Sequence, residues 1–160
     1  MRKRRKLLGS AVISIAAVAA QPGQAAESQK SGKAEFDAYV TWRIIQSIDN
    51  GVGRGTIYES DGFDRLVNGN APFDLLTFQC VNHVLQIGEK WEGSGSCVKT
   101  DKDGDTIFYT WTNNDWAFTG GTGKFKGITG HGVGKPTYIH DSGARGWQNV
   151  VHHVGDWEIK

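Results

Sequence analysis

The chain is poor in the residues that staple or charge a small protein. It holds two cysteines, three prolines and one methionine in 160 residues. Two cysteines exclude a dense disulfide scaffold. A domain of this length does not need one, because it buries roughly two-thirds of its unfolded surface. A basic excess is also missing. Five of the 18 Lys+Arg stand at positions 2–6, and the remaining 13 face 17 Asp+Glu, a formal net charge of −4. That balance argues against nucleic-acid binding, which needs a basic surface to displace counterions from phosphates. No apolar run after residue 20 is long enough to span a membrane as a helix. No stretch of 12 or more residues after residue 26 keeps a 3.6-residue period with caps. Nucleotide and nucleophile signatures are absent too. Gly121, Gly123 and Gly127 miss the dinucleotide spacing, Gly130 to Lys135 misses the P-loop spacing with Pro136 in the hydroxyl position, and Ser94 and Ser96 lack the flanks of a nucleophile elbow.

The N-terminus has the three-part layout of an export signal. Arg2 to Lys6 is cationic, Leu7 to Ala20 is an apolar stretch of 14 residues, and Gln21 to Ala26 is small and polar. Cleavage is expected after Ala26, Ala25 or Ala20. Arg4-Arg5 ahead of Leu7-Leu8 fits a twin-arginine signal, and a Sec signal with a generous basic head fits the same residues. The expected organisation is a signal peptide over 1–26, a flexible segment over 27–34 and one domain over 35–160. The mature protein is then periplasmic or extracellular, with no stable membrane insertion after cleavage.

Export bears on Cys80 and Cys97, because oxidising compartments favour pairing. Gly88-Glu89 has the Gly-X form of a two-residue type II′ hairpin turn. That turn sets Ile87 opposite Lys90, Gln86 opposite Trp91, and Cys80 opposite Cys97 on a non-hydrogen-bonded pair, where Cα atoms lie ~4.5–5.5 Å apart. A cross-strand disulfide is expected. A bulge at Gly93 or Gly95 would shift that register.

The rest of the chain alternates with period two. Phe36, Ala38, Val40, Trp42 and Ile44 share one face of a strand, with Asp37, Thr41 and Arg43 on the other. Strands are also expected over Gly53–Ser60, Phe73–Ile87, Lys90–Thr100, Thr106–Thr112 and Gly146–Ile159, with shorter ones around Phe125, Ile128, Val133 and Tyr138. Asp61 to Pro72 reads as a loop. Many short strands, rich in glycine and poor in proline, indicate an all-β sandwich or a closed antiparallel β-barrel of about eight strands. Closure removes the edges that an apolar last strand would otherwise expose. An outer-membrane barrel needs an outward apolar band, which Lys90, Glu92, Lys99 and Lys126 interrupt on both parities.

Gly120-Gly121-Thr122-Gly123-Lys124-Phe125-Lys126-Gly127-Ile128-Thr129-Gly130 resembles a segment of plant dirigent proteins and is similar to the corresponding segment of allene oxide cyclases. The resemblance covers about a dozen residues. It implies an eight-stranded antiparallel barrel with a central apolar cavity, and Phe125 as a core anchor. The plant relatives assemble as trimers, so it also implies a homo-oligomer. The families' catalytic residues lie outside the segment and none is carried over. Cys97 to Asp105 has no counterpart in the plant pattern, which suggests a bacterial-type exported branch.

Candidate sites follow from residue types. Asp101, Asp103 and Asp105 alternate beside Gly104, but a calcium loop needs its glycine at position six and a glutamate at twelve. The competing expectation is a type I′ turn at Asp103-Gly104. His152 and His153 point to opposite faces of a strand, and His83, His131 and His140 show no ligand spacing, so no metal is assigned. No cofactor is called for. His153 shares its face with Trp147, Asn149, Val151, Trp157 and Ile159. It is either a hydrogen-bonded interior histidine or a pocket acid/base. Trp42, Trp147 and Trp157 are expected in the core. Tyr109 and Trp111 share a face with Ile107 and are read as pairing with Thr100, Val98 and Ser96. The opposite face carries Trp91, Gly93, Gly95, Cys97 and Phe108, and alternation alone leaves open which is inward. The candidate ligand-binding residues are Trp91, Phe108, Tyr109, Trp111 and His153; the catalytic candidates are His153, Glu92 and Asp64. The leading expectation is an exported barrel holding a small hydrophobic molecule. The resemblance implies two alternatives, a cyclase or isomerase and a dirigent-like protein steering a reactive intermediate. A filled barrel would instead be a non-catalytic interaction module.

Overall fold

The computed structural model describes residues 30–141, 143 and 146–160. The leader expected over 1–26 lies outside them. Eight strands follow one another: β1 Ser31–Asp49, β2 Arg54–Gly69, β3 Thr77–Ile87, β4 Lys90–Thr100, β5 Thr106–Thr112, β6 Asp115–Gly121, β7 Ile128–Asp141 and β8 Gly146–Ile159. Each pairs antiparallel with the next, and β8 returns to β1, closing the barrel. Closure leaves the apolar first and last strands no free edge.

The β3–β4 hairpin has the expected register. Ile87 faces Lys90, Gln86 faces Trp91, and Cys80 faces Cys97 and is bonded to it. Gly88 alone takes a positive φ (59°), as a type II′ turn requires. The next hairpin departs from expectation. Only Gly104 has positive φ, and Asp101 pairs with Asp105 around a three-residue loop, the type I turn with a G1 bulge rather than type I′. Asp101 Oδ1 accepts the N–H groups of Asp103 and Asp105, and the Lys124 ammonium pairs with Asp101 and Asp103. Lys124 of the glycine-rich segment and Lys102, which pairs with Asp103 at 2.8 Å, are therefore the cations described beside these carboxylates.

Several boundaries differ from the sequence reading: β3 begins at Thr77 rather than Phe73, and β6 over Asp115–Gly121 is a strand the sequence reading does not include. β2 runs on through Gly69, so Asp61 to Gly69 is strand and only residues 70–76 form the loop. Turn-forming residues there are overridden by pairing with β1 along the whole length. β1 begins at Ser31, within the segment expected to be flexible, because its first residues pair with β8 and Ala34 is fully buried. Ile128 to Asp141 is one long strand rather than several short ones.

The two ends of the barrel are unlike. One carries the long connection before β3 and the short helical turn Gly123–Phe125 within the glycine-rich segment. Phe73, Leu76 and Phe125 fold in from these connections and pack with Phe36, Ile107, Phe118, Ile128 and Trp157, sealing that end. The other end, described at residues 50–53, 88–89 and 113–114, has tight turns there and stays open.

Candidate functional site

Above the sealed end the interior is hollow. A cavity of about 360 Å³ runs from Lys99, Tyr109 and His153 at its floor to Trp91 and Tyr138 at its mouth. Period-two alternation aims alternate residues of each strand into it: Ala38, Val40 and Trp42 from β1; Tyr58 and Ser60 from β2; Asn82 from β3; Asn149, Val151 and His153 from β8. The Cys80–Cys97 disulfide forms part of its wall.

Aromatic rings make a collar midway. Trp42 stacks on Trp147 (centroids 5.2 Å apart) and meets Trp111 and Tyr58 edge-on at 5.9 Å. Tyr58 in turn meets Trp147 edge-on at 4.6 Å. Two buried asparagines hold the indoles. Trp42 Nε1–H donates to Asn149 Oδ1 (2.9 Å), and Trp111 Nε1–H donates to Asn82 Oδ1 (2.9 Å). Asn82 Nδ2 donates onward to Ser60 Oγ (3.0 Å). Satisfied polar groups of this kind fix ring positions, since an unpaired buried amide costs about 1–3 kcal/mol.

The floor is polar in a greasy setting. Lys99 Nζ donates to Asp64 Oδ2 at 2.5 Å, with side chains 3% and 1% exposed. The ammonium lies 4.3 Å from the Tyr109 ring centroid and 5.1 Å from those of Phe36 and Phe78. Asp64 Oδ1 has no hydrogen-bond partner. Burial pushes the Asp64 carboxyl up and the Lys99 ammonium down, and each is partly held back by the other's charge. Beside them, Tyr109 O–H donates to His153 Nε2 (3.0 Å). The Val151 carbonyl can only accept, so His153 Nδ1 carries the proton that bonds it (3.0 Å), and Nε2 is the acceptor. Burial, then the Lys99 charge, lowers the His153 pKa to about 3, so the ring is neutral at ordinary pH. Burial and then the Asp64 charge raise that of Tyr109.

The structure sorts the sequence candidates. Tyr109, Trp111 and His153 line the cavity, and His153 is a hydrogen-bonded interior histidine as well as a pocket residue. Trp91 lines the mouth and is 49% exposed. Phe108 does not belong to the site. It pairs with Val98 and lies on the outer wall, 43% exposed. The physical reason is register: Cys97 pairs with Tyr109 and Gly95 with Trp111, one residue from the pairing expected, so Tyr109, Trp111, Cys97 and Gly95 share the inner face. Glu92 pairs with Leu85, is exposed and does not line the cavity, which removes it as an acid there. Asp64 is buried at the floor through Lys99. Trp157 is in the sealed core as expected, whereas Trp42 and Trp147 form the collar.

Lys99, Asn82 and Asn149 were not singled out from sequence. In the sequence Lys99 stands only among the charged residues that interrupt both strand parities. Its signal was parity: it lies two residues beyond Cys97, on the same face as the disulfide. His152, by contrast, stands outside with Glu35 and Asp37, opposite in sense to His153.

The closed eight-stranded antiparallel barrel is similar in fold to two solved structures, the pterocarpan synthase dirigent proteins PsPTS1 and GePTS1. The first superposes with a TM-score of 0.53 at 16% identity, covering 84% of this chain and 99% of that one. The second gives 0.52 at 15% identity, covering 91% and 100%. No family model matches the sequence, and no curated protein matches it.

Proposed function

We propose that this is an exported barrel that takes one small, flat, largely apolar molecule into its interior. The observation that carries the reading is the cavity of about 360 Å³ walled by Trp42, Trp111, Trp147 and Tyr58 and open at one end. Rings held by asparagine hydrogen bonds present preformed apolar faces, so little ordering entropy opposes binding. The disulfide supports export, because such bonds persist in oxidising compartments. Among the described residues no helix is long and apolar enough to cross a membrane.

A second reading is that the cavity steers a reactive intermediate, through cyclisation, isomerisation or coupling. It is favoured by the likeness to pterocarpan synthase dirigent proteins and by the titratable groups at the floor. Catalysis would then rest mainly on holding a productive conformation.

Tryptophan emission tests the binding. Titrating the purified chain with cinnamyl alcohol should quench it saturably at one equivalent, and native mass spectrometry of freshly expressed protein should show a retained small molecule. An unchanged emission spectrum together with a bare polypeptide mass would overturn the proposal.

A further inference from the structure

An ion pair at the floor of an apolar barrel is expensive. Each charge taken out of water costs several kcal/mol, and well-packed hydrophobic residues would often stabilise the same space better. Lys99 and Asp64 sit among Phe36, Phe78 and Tyr109 rather than at a wet surface. Lys99 Nζ has one carboxylate oxygen as partner, lines the cavity, and is otherwise surrounded by ring faces. Asp64 Oδ1 has no hydrogen-bond partner. A lysine amine desolvated at the end of an apolar cavity is a setting in which lysines form imines with carbonyl compounds, and a carboxylate in contact with it can carry the protons that the condensation moves.

We infer that Lys99 condenses reversibly with an aldehyde carried on an apolar or aromatic molecule, with Asp64 as the proton shuttle and counter-ion. The inference rests on the binding reading above, and adds to it the chemical class of the ligand. Lys99 passes a proton to Asp64 Oδ2 and becomes a free amine. Its nitrogen lone pair attacks the carbonyl carbon, forming a C–N bond as the C=O π pair moves to oxygen. A proton shifts from nitrogen to that oxygen. Asp64 then returns its own proton to the hydroxyl, which leaves as water. The products are a protonated imine on Lys99, the Asp64 carboxylate beside it, and one water. No oxidant or reductant is consumed. Desolvation, which holds the ammonium down, favours the free amine needed at the first step. The ring faces that surround Nζ also suit a delocalised iminium cation.

The wild-type chain carries the test. Cinnamaldehyde is added at one equivalent near pH about 6.5, where ordinary lysines are protonated. Cyanoborohydride traps any iminium, and the label is mapped by peptide mass spectrometry. Expected is one cinnamyl group on Lys99, at least about tenfold above the label on exposed Lys33, Lys90 or Lys160. Excess cinnamyl alcohol, which cannot condense, should cut the Lys99 label several-fold and leave surface labelling unchanged. Label confined to surface lysines, with cinnamyl alcohol still quenching tryptophan emission, would overturn the imine and leave the binding reading standing. Lys99 label indifferent to cinnamyl alcohol would overturn delivery through the cavity. Neither quench nor Lys99 label would overturn both.

Discussion

Replacing Lys99 with methionine removes a cation from the barrel floor and keeps nearly the same side-chain length. Asp64 is then left buried, with both oxygens lacking the ammonium it now bonds at 2.5 Å. Removing one partner of a buried pair costs about 3–5 kcal/mol. For a domain of this size that lowers Tm by roughly 10–20 °C. The double variant Asp64→Leu with Lys99→Met leaves no buried charge and should be as stable as the wild type, or more so by about 1–4 kcal/mol. The pH dependence separates the two single variants. In Lys99→Met the Asp64 carboxyl has a folded pKa raised above its unfolded value, so the folded state binds the extra proton. Stability is full below the unfolded pKa and is lost as pH rises through the folded one. In Asp64→Leu the Lys99 pKa is lowered on folding, so the unfolded state binds the extra proton and stability increases with pH. Urea denaturation at pH about 5 and about 8 should therefore give slopes of opposite sign, each measured against the double variant. Single variants as stable as the double, or slopes of the same sign, would refute the reasoning that these two groups are buried as a pair.

Three further outcomes follow from the same geometry. His153, lowered from 6.5 to about 3, should show ring resonances that do not titrate between pH about 8 and about 4; folding stability attributable to it, on the order of 5 kcal/mol, is present above pH about 6.5 and lost as the pH falls toward 3. Reducing the Cys80–Cys97 bond, which spans 17 residues, should cost about 3 kcal/mol in urea denaturation, and Cys80→Ala with Cys97→Ala should match it. Gly95→Ala would set a methyl against Asn82 Oδ1 and the Trp111 indole nitrogen. It should destabilise the barrel by about 1–3 kcal/mol and weaken the cinnamyl alcohol quench, because Trp111 must leave the collar.

The sequence by itself determined what local rules govern. Strand parity placed Phe36, Ala38, Val40 and Trp42 on one face, and set His152 and His153 on opposite sides of the wall. Gly88-Glu89 specified a turn, and the turn specified the Cys80–Cys97 pairing by counting. The glycine-rich segment marked the fold and its Phe125 anchor. Where a feature depended on a neighbour distant in sequence, the chain alone was silent or misleading. Phe108 and Tyr109 exchange inside for outside on a one-residue change in the β4–β5 register. That register was set by a G1 bulge at Gly104 that composition does not distinguish from a two-residue turn. Asp61 to Gly69 has the composition of a loop and is strand because β1 pairs with it throughout. Lys99 and Asp64 lie 35 residues apart and carry no signature of each other. Only closure of the barrel brings them into one dry space, where they meet as a buried ion pair.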